Sequence, residues 1–191
     1  HRKGMISIMK ETAKTILREL SQVFDRVDET EVEKFKSEIL NANRIILIGV
    51  GREGLATRAF TMRLMHLGLD SHWIWDDTTP AIRRGDLLIA TSGCGEIGHI
   101  HYVAERARHN GARIALVTGD PDKKTAKIAD TVLFVPAAVY LGTADVVPSI
   151  QPMGNLFEQS LFILFDIIIM DLTQKLGITK AKMEANHRNL E

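Results

Sequence analysis

Two glycine-rich turns hold the residue types best suited to meet a ligand. The first is Gly49-Val50-Gly51-Arg52-Glu53-Gly54 and the second is Ser92-Gly93-Cys94-Gly95-Glu96. Each follows an apolar run and opens a helical pattern. Glycine lets backbone N–H groups approach a ligand closely, and the N-terminus of the helix that follows favours an anion. Arg52 adds a fixed cation suited to an oxyanion, in competition with ion pairs to Glu53 or Glu96. Ser92 offers a hydroxyl, whereas Glu96 fits a pairing or capping role near the helix start. Cys94 sits where a helix N-terminus could lower a thiol pKa, against the plainer reading of a small residue that packs the loop. The first turn also completes Gly-x-Gly-x-x-Gly, with Asp76 and Asp77 about 20 residues on, as in dinucleotide-binding turns. The second turn and the C-terminal segment fit another use better. Ligand-free strand–helix connections would explain either turn alone more easily than both together. His99 and His101 point to opposite sides of any helix, and with His66 they read as surface or core polar residues, so no metal site is expected.

The elements that must position these turns follow from periodicity. From Met5 to Val27, apolar residues recur in three- and four-residue steps (Ile6, Met9, Ala13, Ile16, Leu17, Leu20, Val23, Phe24, Val27), which is an amphipathic helix. Thr30 before Glu31 and Glu33 predicts the cap of a second helix running to about Asn41. Short β-branched runs at Arg44–Gly49, Ser71–Trp75, Asp86–Thr91, Arg113–Thr118 and Thr131–Val135 predict five buried parallel strands. Helices are expected at Arg52–Leu67, about Ile97–His109 and Gly154–Leu176, with a short one around Ala126 and Ile128. Three of the five prolines fall within Pro136–Met153, which predicts a long loop. Trp73 and Trp75 are expected to pack against a helix or a subunit. Strands alternating with helices predict an α/β fold, a three-layer α/β/α sandwich with a five-stranded parallel sheet.

Composition narrows the partners. The chain has 191 residues, 45% hydrophobic and 25% charged, an ordinary globular composition. Its 24 Lys+Arg balance 24 Asp+Glu, which argues against a nucleic-acid or membrane-surface partner. Cys94 is the only cysteine, so no intrachain disulfide or cysteine zinc site is possible, and a reducing cytoplasm fits. No secretory signal or membrane span is expected, because Leu161–Leu172 is interrupted by Asp166 and Asp171. His1–Gly4 reads as a cloning remnant. The single domain is expected over 5–191, with N-terminal helices at 5–42 and a tail at 178–191. Residues 156–172 are apolar nearly all round, so the helix there should be buried on every side, with a second subunit as the cover.

Four segments resemble the sugar isomerase (SIS) family, a flavodoxin-like fold, and most closely its 6-phospho-3-hexuloisomerase branch. They are Gly49–Gly54 running on through Ala59–Gly68, Ser92–Glu96, Pro152–Gln159 and the ending His187-Arg-Asn-Leu-Glu191. They stand in the family's order across nearly the whole chain. The resemblance implies conversion of 3-hexulose 6-phosphate to fructose 6-phosphate through an enediol. No cofactor or metal would be involved, and the protein would be a homodimer or homotetramer. It implies that Glu158 is the catalytic base and that His187 reaches a neighbouring subunit's site to assist proton transfer at oxygen. Substrate binding would fall to Gly51, Arg52, Ser92, Gly93, Cys94, Gly95 and Glu96, with backbone N–H groups from Gly93 to Ile97 holding the phosphate. Glu53, Cys94 and Ile97 stand where the family carries Ser, Ser and Thr, and Glu53 is expected to set a like charge near a bound dianion. The alternatives are a non-catalytic SIS module that binds a phosphosugar or sugar derivative, and an isomerase with a different substrate.

Overall fold

A computed structural model describes residues 2–190, with side chains from residue 8 onward; Ile6 as a packing residue, His1 and Glu191 fall outside that description. Helices α1 (Arg2–Arg26) and α2 (Glu29–Asn41) precede the alternating part. Strands β1 (Ile45–Ile48), β2 (Ser71–Trp73), β3 (Leu87–Ser92), β4 (Arg113–Thr118) and β5 (Thr131–Phe134) then form one sheet, with α3 (Gly51–His66) and α4 (Gly98–His109) between strands. A 3-10 turn covers Ala126–Ile128, and α5 (Asn155–Lys175) and α6 (Lys180–Asn186) close the chain.

The sheet is parallel throughout, in the order β2-β1-β3-β4-β5. Side chains alternate across it, and both faces are covered, which is why the strands read as unbroken apolar runs. Ile45, Leu47, Leu87, Ile89, Ala115 and Val117 join Phe35, Phe60, Leu64, Leu161, Phe165 and Ile168 in one core. Ile46, Ile48, Leu88, Ala90, Ile114 and Leu116 pack on Ile100, Ala104 and Ala107 of α4 in the other. The three layers therefore have α1, α2, α3 and α5 contributing to one face and α4 to the other.

This strand order has its switch point between β1 and β3, where successive connections leave in opposite directions. Both glycine turns lie at that point. Their glycines answer a packing demand. A Cβ on Gly54 would lie 2.7 Å from Gly49 O, and one on Gly49 would lie 2.4 Å from Thr91 Oγ1. Strand end and helix start touch through bare backbone.

Several details depart from the sequence reading. The N-cap of α2 is Asp28, whose carboxylate accepts from Thr30 N at 2.7 Å; a charged Asp is at least as good a cap as Thr. β2 ends at Trp73, so Trp73 is buried while Trp75 is exposed and stacked on His99 with ring centroids 5.1 Å apart. The final segment is not a bare tail but contains α6, capped by Thr179. Helix α5 is not buried on every side within one chain: Phe162, Ile163, Ile167 and Met170 remain exposed.

The 136–153 loop contains no helix and is pinned at several points. Asp120 accepts from Thr143 N and Oγ1, both at 2.9 Å. Glu19 of α1 accepts from Ser149 Oγ at 2.6 Å and Ile150 N at 2.8 Å. Gln151 and Gln159 exchange amide hydrogen bonds at 2.8 and 2.7 Å. These anchors hold the loop against the switch point. The bare contact between the strand end and α3 gives a direct test. Gly54→Ala forces backbone apart and is expected to cost about 1–3 kcal/mol in urea unfolding, whereas Gly98→Ala, whose Cβ meets nothing within 4 Å, should cost far less.

Candidate active site

A cavity of about 390 Å³ opens at the switch point. Its walls come from Gly51, Arg52 and Glu53 of α3, from Gly93, Cys94 and Ile97 after β3, from Val139–Leu141 of the long loop, and from Met153–Asn155, Phe157 and Glu158 at the start of α5. Neither α3 nor α4 has a side-chain cap, since Val50 and Ile97 occupy the N-cap positions. Both helices therefore present uncapped N–H groups here, which favours an anion.

Glu158 stands in the first turn of α5. Its Oε2 lies 3.2 Å from Arg52 Nη1 as an ion pair, yet that buried oxygen makes no hydrogen bond. Arg52 in turn hydrogen-bonds Asn155 Oδ1, so one guanidinium spans the start of α5. Leu141 and Met153, both on the wall, hold left-handed backbone at φ 64° and 54°. For non-glycine residues this costs on the order of 1–3 kcal/mol each, strain that concentrates where a loop must be held in one shape.

Glu53 is the unexpected feature. Its side chain turns inward and is only 8% exposed. Oε2 accepts from Gly93 N at 2.8 Å, and Oε1 is buried with no hydrogen-bond partner. Burial, reinforced by the neighbouring Glu158 charge and partly offset by the Gly93 amide, pushes the carboxyl up to about 8. At neutral pH Glu53 is therefore a neutral acid. The expected like charge beside a bound dianion is absent, because desolvation keeps the proton on.

The SIS domain family model matches residues 38–140, more than half of the chain. The chain belongs to the SIS domain family. A Bacillus subtilis protein named 3-hexulose-6-phosphate isomerase is 34% identical over 176 residues, which is 92% of this chain and 95% of its own. A Mycobacterium gastri protein of the same name is 38% identical over 173 residues, covering 91% of this chain and 86% of its own. A Methanococcus jannaschii protein, whose crystal structure was taken to infer 3-hexulose-6-phosphate isomerase function, superposes with a TM-score of 0.83 at 27% identity. That likeness covers 95% of this chain and 99% of the other.

Within this SIS domain, Gly51, Arg52, Gly93, Cys94 and Glu158 share one cavity wall. Ser92 does not line it; it is fully buried at the end of β3 and its Oγ has no hydrogen-bond partner. Gly95 turns away, with φ 71° and its Cα side against Asp120 O. Glu96 points to Lys123 Nζ at 3.9 Å. Of the amides from Gly93 to Ile97, Gly93 N–H is held by Glu53 and Gly95 N–H donates to Ser92 O at 3.0 Å. His187 lies at a different cavity with Arg63, His66, Met183 and Glu184, its ring 5.2 Å from that of His66. Burial lowers the His66 pKa, helped by the Arg63 charge and His187. His101 Nδ1 meets Thr125 Oγ1 at 3.1 Å. Among the described residues, no group of three or more His, Cys, Asp or Glu is placed to hold a metal ion.

Tyr140, Leu141, Met153 and Asn155 are wall residues that sequence reasoning missed. They lie on or beside the loop, where no periodicity marks a facing side. Glu53 carried a signal, an acid inside a glycine turn, but its burial depends on the facing Gly93 amide.

The shifted carboxyl makes stability pH-dependent in a defined direction. Unfolded, Glu53 ionises near 4.5; folded, it keeps its proton to about 8. In that window the native state binds the extra proton, so its contribution to stability falls as pH rises. Glu53→Gln removes this penalty. Its melting temperature should match or trail wild type near pH 4.5 and gain steadily on it up to about pH 8, then stay parallel. The gain corresponds to a few kcal/mol, at about 1.4 kcal/mol per unit.

Proposed function

We propose that this SIS domain is a sugar-phosphate isomerase that interconverts 3-hexulose 6-phosphate and fructose 6-phosphate. The observation that carries the reading is the likeness to proteins of that name, 34–38% identical over more than nine-tenths of this chain. The cavity supports it by setting a carboxylate and a guanidinium together at the sheet's switch point.

The chemistry moves a ketone from C3 to C2. Glu158 takes the proton from C2, the electrons form a 2,3-enediolate, and Glu158 returns the proton to C3. One proton is gained at O3 and one is lost at O2, so the atoms balance and the step calls for no redox cofactor. Arg52, 3.2 Å from Glu158, supplies the positive charge that stabilises oxygen as it becomes anionic. The uncapped starts of α3 and α4 favour the phosphate end of the substrate.

This reading takes residues 5–191 as one domain and assigns the 178–191 segment to the site of a neighbouring copy. His187 then serves proton transfer at oxygen in the partner's cavity. The exposed apolar stripe on α5 supports a homodimer or homotetramer. A cytoplasmic setting fits the free thiol of Cys94. No helix among the described residues is long and apolar enough to cross a membrane.

A coupled assay from 3-hexulose 6-phosphate to fructose 6-phosphate is the test. Wild type should turn over, and Glu158→Gln should lose on the order of 10²–10⁴ in kcat with its fold intact. A folded wild type that binds fructose 6-phosphate without turnover would instead favour a binding module. The shared site is checked separately by co-expressing Glu158→Gln with His187→Ala. If the histidine acts in the partner's cavity, hybrids recover activity above both parents; if both groups serve one chain's site, they do not.

A further inference from the structure

His66 and His187 meet at the end of α3, and each has one ring nitrogen whose role its partner settles. Arg63 Nη1 lies 3.1 Å from His66 Nδ1. A guanidinium only donates, so Nδ1 accepts and the His66 hydrogen sits on Nε2. His187 Nδ1 lies 2.8 Å from Arg188 O. A carbonyl only accepts, so there Nδ1 carries the hydrogen. Any proton that the His187 ring gives or takes is therefore the one on Nε2. A free histidine side chain favours the other neutral form, with hydrogen on Nε2.

The His66 ring is buried, and a charge on it is disfavoured. Burial opposes protonation, and so does the Arg63 guanidinium that the new N–H would face. The ring is thus a flat neutral surface of fixed orientation. His187 rests on it, with ring centroids 5.2 Å apart and planes tilted by 30°. The backbone holds the pair together. Asn186 Nδ2 donates to His66 O at 3.0 Å, and His187 N donates to Glu184 O at 3.1 Å. Met183 of α6 packs against the main core. His66 therefore has two separable tasks: its carbonyl tethers the segment, and its ring stops the His187 ring from turning.

We propose that His66 is a positioning residue: its ring, locked by Arg63, backs the His187 ring and keeps it in the Nδ1–H form. This rests on the reading of His187 as the group that moves protons at oxygen. Accepting a proton at Nε2 requires the lone pair there. The other neutral form already has a hydrogen at that atom and cannot accept one. Other charged groups face the ring pair: Glu184 comes from α6, and Arg188 follows His187. Glu184 is paired with Lys180 Nζ at 3.6 Å. Tautomer rather than charge is the quantity to read, at about pH 8, where histidine side chains are ordinarily neutral.

The experiment is long-range proton–nitrogen NMR of the full chain with isotope-labelled histidine, alongside the coupled assay. Wild type should show the His187 hydrogen on Nδ1 and the His66 hydrogen on Nε2. His66→Ala keeps the carbonyl that holds Asn186 and removes only the ring. In it His187 should move toward the Nε2–H form, and kcat should fall on the order of tenfold with KM little changed. His66→Phe restores a flat ring and should recover the wild-type tautomer and most of the lost kcat. Because the ring acts through His187, His66→Ala should cost nothing further in a His187→Ala background. Hydrogen on Nε2 of wild-type His187 overturns the proposal, whatever the variants do. So does an unchanged His187 tautomer in His66→Ala, a loss that persists in the His187→Ala background, or one that His66→Phe leaves in full. The spectra answer independently of turnover. The described tautomers in an inactive wild type sink the isomerase reading and leave the positioning contact. Turnover by a wild type whose His187 carries hydrogen on Nε2 does the reverse.

Discussion

One hydrogen bond ties the two halves of the site together: Gly93 N–H on the Glu53 carboxyl, 2.8 Å long. It joins the turn after β1 to the turn after β3, the two connections that part at the switch point. It is possible only because Gly49 and Gly54 let α3 begin hard against its own strand, which brings the first turn of α3 over the end of β3. A Cβ on Gly93 would itself lie 3.0 Å from Glu53 Oε2. The glycine pattern that resembles a dinucleotide turn therefore has a second physical use. It brings a side chain from one turn onto the backbone of the other.

Burial of that carboxyl, against the pull of the Gly93 bond itself, sets the electrostatics of the cavity. A carboxyl buried beside Glu158 keeps its proton, so the wall carries one carboxylate and one guanidinium rather than an excess of negative charge. Arg52 reaches both Glu158 and Asn155, which couples the start of α3 to the start of α5. The long loop completes the enclosure, held by carboxylates at Glu19 and Asp120. Three separate elements thus converge on Glu158.

The layered fold was legible because its signals are local. Ile45–Ile48 and Leu87–Ser92 are apolar runs that end in glycine or serine turns, and α4 and α5 have clear lengths and ends. Where a boundary depended on competition between neighbours, the reading slipped, as when Asp28 rather than Thr30 capped α2. At the site, Arg52, Gly93 and Cys94 were legible because turns at a switch point must face one another, and Glu158 through the resemblance of Pro152–Gln159 to the SIS family. Tyr140, Leu141 and Met153 were not, because loop side chains take their direction from distant anchors. The state of Glu53 was not legible either. A glutamate beside an arginine in sequence reads as charged, and only burial against Gly93 and Glu158 reverses that.

Within one chain the two proposed catalytic groups do not meet. Glu158 faces the switch-point cavity, while His187 follows α6 and rests against His66 at another. Asn186 Nδ2 donates to His66 O at 3.0 Å, so the segment carrying His187 is fastened to the end of α3 rather than loose. A histidine held there serves chemistry only if another copy brings its cavity to it. The exposed residues Phe162, Ile163, Ile167 and Met170 of α5 give association an apolar driving force. The proposed oligomer and the proposed mechanism are thus one claim: a buried α5 face without a shared site would leave oxygen proton transfer to groups already in the Glu158 cavity.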